Sequence, residues 1–116
     1  MKKAASISIY ILTSGLAYAH PALTRSEPSP DSTVVSPASV SLRFSEALIP
    51  KFSGAELKDQ GGRTVEATPA FVEKDGKALV LAIQRPLAAG TYTVEWHAVA
   101  QDTHRVKGSY RFTVRP

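Results

Sequence analysis

Val40, Leu42 and Phe44 alternate with Ser41, Arg43 and Ser45, a period of two that predicts a strand with one buried face. Ala55 and Leu57 continue the style up to Asp59-Gln60-Gly61-Gly62, which reads as a hairpin-like turn. The runs on either side of Asp75-Gly76, Phe71 to Lys74 and Ala78 to Ile83, predict a hairpin, because Asp-Gly readily supplies the positive φ angles of a tight turn. Tyr92, Val94, Trp96 and Ala98 mark one face of a further strand, and Tyr110, Phe112 and Val114 mark the last. Upstream, Pro21, Pro28, Pro30 and Pro37 predict an extended, loop-like approach with one short edge strand. No segment beyond residue 20 has helical periodicity. About seven short strands with turns at near-regular spacing predict an all-β fold, an antiparallel sandwich of two sheets.

The first 19 residues, MKKAASISIYILTSGLAYA, have another pattern. Two lysines precede a modestly apolar run, and Ala17-Tyr18-Ala19 places small residues at the −3 and −1 positions of a cut, the layout of a secretory signal peptide. Ser6, Ser8, Thr13, Ser14 and Gly15 interrupt the run, which falls short of the roughly 20 apolar residues that span a bilayer. Cleavage after Ala19 is the expectation, leaving residues 20–116 as one domain in an exported, periplasmic protein. It removes two lysines and no acid, so the net charge falls from +4 to +2. The remaining cations are scattered, which argues against a nucleic-acid partner.

There is no cysteine, and the one methionine is Met1. Disulfide scaffolds, thiolate metal sites and cysteine nucleophiles are excluded. The mature chain has no sulfur ligand, so any metal it binds is held by nitrogen and oxygen.

Cleavage makes His20 the first residue. A terminal histidine offers two nitrogens from one residue, the α-amine and ring Nδ1, which together chelate a metal. Pro21 has no backbone N–H, so copper cannot continue along the peptide and other ligands must come from the fold. Asp102 and His104 are two apart; in an extended segment their side chains point the same way. The alternative is a turn with Asp102 as its Asx residue and His104 exposed. Glu46 shares parity with Val40, Leu42 and Phe44, so a continued strand turns its carboxylate inward, whereas a strand ending by Ser45 does not. His97 alternates with the Trp96 face and is expected on the outside of its sheet, Trp96 between the sheets. Nitrogen and oxygen donors in this proportion suit Cu(II); zinc also accepts His and Asp.

HPALTRSEP after the cut, SLRFSEALIPKFSGAEL, and AAGTYTVEWHAVAQDTHRVKGSYRFTV resemble the CopC family of periplasmic copper-binding proteins across essentially the whole mature chain. The resemblance implies a Greek-key β-sandwich holding one Cu(II) at one end. His20 would supply its α-amine and Nδ1, Asp102 and His104 would complete the ligands, and Glu46 would lie at or beside the ion. Two departures stand out. KDQGGRTVEATPAF, where some members carry a methionine-rich Cu(I) site, has no methionine, and His97 follows the tryptophan where arginine is common.

The expected function is a periplasmic Cu(II) carrier or buffer in copper homeostasis or resistance. It is expected to be a monomer that exchanges the ion with an inner-membrane CopD-like copper transporter or an exported copper protein. It is not expected to be an enzyme. Two alternatives are a histidine-brace copper oxygenase, disfavoured by small size and by a carboxylate ligand, and a metal-free sandwich in which His20 is an accident of cleavage.

Overall fold

The computed structural model describes residues 21–116. Eight strands follow one another: β1 (Leu23–Glu27), β2 (Thr33–Val34), β3 (Ser39–Phe44), β4 (Gly54–Lys58), β5 (Phe71–Val72), β6 (Ala78–Ala82), β7 (Gly90–Val99) and β8 (Arg105–Val114). A single 3₁₀ turn, Pro50–Phe52, lies between β3 and β4. Proline's fixed φ and missing N–H suit the first position of such a turn. One sheet has the order β1-β3-β6-β5 and the other β2-β8-β7-β4. Among the described residues no helix is long and apolar enough to cross a membrane.

The alternating runs form the facing layers. Val40, Leu42 and Phe44 of β3 and Leu79 and Leu81 of β6 meet Leu57, Val94 and Phe112 from the opposite sheet, each at most 2% exposed. β7 and β8 pair over ten residues without a register shift. Trp96 stands between the sheets as its parity predicts, meeting Phe44 edge to face with ring centroids 5.1 Å apart at 70°. Its cross-strand neighbour on β8 is Gly108. A Cβ at that glycine would lie 2.6 Å from Trp96 Cζ2. Gly108→Ala is therefore expected to overpack the seam by about 1–3 kcal/mol. At about 4–8 °C per kcal/mol for a domain of this size, thermal unfolding followed by circular dichroism should show a fall of several degrees, and an unchanged midpoint would mean that the indole moves aside freely.

Two features depart from the sequence expectation, and a third decides between its alternatives. The proline-rich approach contains two strands rather than one. β1 pairs antiparallel with β3, and after Pro28 and Pro30 break the chain, Asp31 (φ 61°) turns it so that β2 lies parallel to β8. The Asp59–Gly62 turn forms, with Asp59 Oδ1 accepting from the N–H groups of Gly61 and Arg63 at 2.9 Å each, but it is not followed by a strand. Thr64 bridges Lys58, and Ala67 already bridges Ile83 in the other sheet, so this segment is spent crossing between layers. β3 ends at Phe44, before Glu46. The Asp75-Gly76 hairpin forms as expected, with Gly76 at φ 80° and β5 paired to β6.

Candidate metal centre

Three stretches distant in sequence meet at one end of the sandwich. Ala22 and Ser45 are joined twice: the Ala22 N–H donates to Ser45 Oγ and the Ser45 N–H donates to the Ala22 carbonyl, both at 2.9 Å. Pro21 is buried. The bend after β3 is thereby fastened to the start of the described chain. Its other side is fastened to the end of β7, where Leu48 bridges Ala100 and the Ile49 N–H donates to the Val99 carbonyl at 2.7 Å. Glu46 lies within this bend, half-buried. Because the strand has stopped, the bend places it there and not a continued inward parity.

Beyond β7 the chain reverses through Gln101 to His104. The Thr103 N–H donates to the Ala100 carbonyl at 2.9 Å, and Thr103 adopts φ 65°. A β-branched residue in the left-handed region is uncommon and costs about 1–3 kcal/mol. The Thr103 hydroxyl donates to the Asp102 carbonyl at 2.5 Å. Asp102 Oδ1 accepts from the His104 N–H at 3.1 Å, and Asp102 Oδ2 lies 3.2 Å from His104 Nδ1. This is the Asx turn rather than an extended segment, yet it brings carboxylate and imidazole face to face. Asp102 is the more sheltered, its side chain 26% exposed against 64% for His104. Sequence reasoning missed Ser45 and Thr103. Ser45 was visible only as the middle residue of Phe-Ser-Glu, and nothing in a local pattern reveals a hydroxyl bonded across 23 residues.

His20 lies outside the described residues. Among the described residues no three His, Asp or Glu side chains gather as a metal site. His97 projects on the outer face of the second sheet, as its parity predicts, opposite Gly54 and Lys107. Its ring lies across Gly54, where a Cβ would come within 3.0 Å of Cε1. Burial first, and the Arg105 charge second, push its pKa down, against an opposing pull from Glu56. The donors brought together are thus one carboxylate and one imidazole, with a second carboxylate in the adjoining bend and no sulfur.

The CopC domain family matches residues 23–115. The chain belongs to the CopC family. It is 42% identical to copper resistance protein C of Xanthomonas campestris pv. juglandis, over 90% of this chain and 87% of that protein. Among solved structures it is similar to PcoC, a methionine-rich copper resistance protein from Escherichia coli (42% identity, TM-score 0.77, 83% of this chain and 99% of that one). It is likewise similar to CopC from Methylosinus trichosporium OB3b (34% identity, TM-score 0.77, 84% and 95%). Unlike a methionine-rich relative, this CopC chain has methionine at position 1 alone.

Proposed function

We propose that the chain is cut after Ala19 and that the mature protein, as a monomer in the periplasm, carries one Cu(II). His20 binds through its α-amine and Nδ1, Asp102 and His104 complete the ligands, and Glu46 stands at or beside the ion. The observation that carries this reading is the facing of Asp102 and His104 at 3.2 Å, at the end of the sandwich where Ser45 holds Ala22. Cα atoms across a trans peptide are about 3.8 Å apart, so a histidine two residues ahead of Ala22 is tethered close to the bend. A set of nitrogen and oxygen donors favours Cu(II) over Cu(I), which prefers thiolate or thioether. The ion is cargo, held for exchange with a CopD-like inner-membrane transporter or an exported copper protein, and no catalytic step is assigned to the chain. Protons compete for the amine and imidazoles, so affinity falls as pH falls.

Competition titration with Cu(II) tests the ligand set. The mature protein should take up one ion, and His104→Ala should weaken it by more than the about 10–100-fold that loss of an outer supporting partner causes. Equal affinity in His104→Ala would move the site elsewhere. Ser45→Ala removes the hydroxyl that accepts from Ala22 while leaving the backbone bond. A net loss of about 0.5–1.5 kcal/mol for one hydrogen bond predicts a fall of roughly 2–10-fold in Cu(II) affinity. No change would show that the reciprocal backbone bond suffices to hold the terminus.

A further inference from the structure

Beside the candidate metal centre, the 3₁₀ turn and the adjoining ends of β7 and β8 enclose a shallow depression lined by Lys51, Phe52, His97, Val99, Thr103 and Arg105. Thr103 ties it to the centre, being the residue between Asp102 and His104. Phe52 is 55% exposed, one of three large apolar side chains so placed among the described residues. Lys51 and Arg105 are exposed, and neither makes an ion pair with a described residue. No carboxylate lines the depression. Lys107 and Arg111 extend the cationic row from Arg105 along the outer face of β8, at positions of the same parity, and they too lack ion pairs among the described residues.

We propose that this depression is the docking site of a partner protein that presents an acidic surface with an apolar side chain at its centre. Exposed aromatic and arginine side chains are the groups most often found at the energetic centre of protein interfaces. Unpaired cations around them set the charge of the partner: carboxylates steer the encounter and fix its orientation. An apolar group in the depression covers Phe52, and the partner's edge then lies over Thr103, next to Asp102 and His104. That proximity matters for transfer and rests on the copper-carrier reading; the docking itself does not. An anionic membrane is the weaker occupant, because the same sheet face carries Glu56 and Glu95 on the neighbouring strands. A flat lipid surface would press against those carboxylates, whereas a small acidic patch need not reach them.

The test uses the copper-free protein beginning at His20, labelled with ¹⁵N, and two ten-residue peptides, one alternating Asp and Leu and one of Asp alone. The Asp-Leu peptide should shift the amides of residues 51–53, 97–99 and 103–107, and the all-Asp peptide should shift them less. Raising the salt from about 0.01 M to 0.1 M shortens the screening length from about 30 Å to 10 Å and should weaken binding several-fold. The double variant Lys51→Glu, Phe52→Ser should lose the shifts while its Cu(II) titration matches that of the unaltered protein. Shifts spread over other faces, binding unchanged in the double variant, or binding to phosphatidylglycerol vesicles in place of the peptide would each overturn the proposal. A protein that binds the peptide at this face but no Cu(II) would refute the carrier reading and leave the docking site standing.

Discussion

Acetylating the α-amine of His20 should remove most of the Cu(II) affinity of the mature protein. Acetylation converts that amine into an amide with no new amine ahead of it to anchor the metal, and the amide nitrogen has no lone pair to give without losing a proton. In most peptides the metal would compensate by displacing the next amide proton, but the next residue is Pro21, which has none. The terminal histidine then keeps only its ring. Joining two binding groups in one molecule raises affinity by about 10²–10⁴ over either alone, so the loss expected on breaking the chelate is of that order. The two proteins differ at a position ahead of every described strand, so their unfolding midpoints without copper should coincide. Electron paramagnetic resonance should show a nitrogen-rich tetragonal signal for the mature form and a nitrogen-poor one for the acetylated form. If both bind alike, His20 is not a bidentate ligand, and Asp102 and His104 need another explanation.

How legible these features were in the sequence follows from the range of the interactions behind them. Val40, Leu42 and Phe44, and Tyr92, Val94, Trp96 and Ala98, declare their strands because burial of one face imposes a period of two. The eighth strand was hidden for the opposite reason. β2 is two residues long, and its place beside β8 comes from backbone bonds to a segment some eighty residues away. Parity left Glu46 open between a continued strand and one ended by Ser45, since a period of two holds only while the strand lasts, and β3 stops at Phe44. For Asp102 and His104 the spacing was visible and the geometry was not. The sequence allowed an extended pair or a turn; Thr103 in the left-handed region selects the turn, and the two side chains still face one another. Membership of the family was legible from the longest unbroken stretches, because they span both the core strands and the loops at the candidate centre.

Phe44→Ala should cause the largest loss of stability and should also weaken the response to copper. Phe44 is 2% exposed and supports Trp96 edge to face, so its removal opens a cavity that the rigid indole cannot fill without leaving Gly108. Truncating a buried phenylalanine costs about 3–5 kcal/mol, a large share of the about 5–15 kcal/mol that holds a domain of this size together. At about 4–8 °C per kcal/mol, the unfolding midpoint without copper should fall by at least about 12 °C. Phe44 is also the last residue of β3, immediately before the bend that holds Ser45 and Glu46. A ligand that binds the native state alone adds RT ln(1 + [L]/Kd), about 2.7 kcal/mol at a hundredfold excess over Kd. At one fixed free Cu(II) concentration, the unaltered protein should gain its full increment. The variant should gain less, because a loosened bend no longer holds Ala22, and the residues ahead of it, in register with Asp102 and His104. Thermal unfolding of both proteins with and without Cu(II) separates the two effects. A depressed midpoint with an undiminished copper increment would mean that the Ser45–Ala22 and Leu48–Ala100 backbone contacts hold the centre without help from the core beneath it.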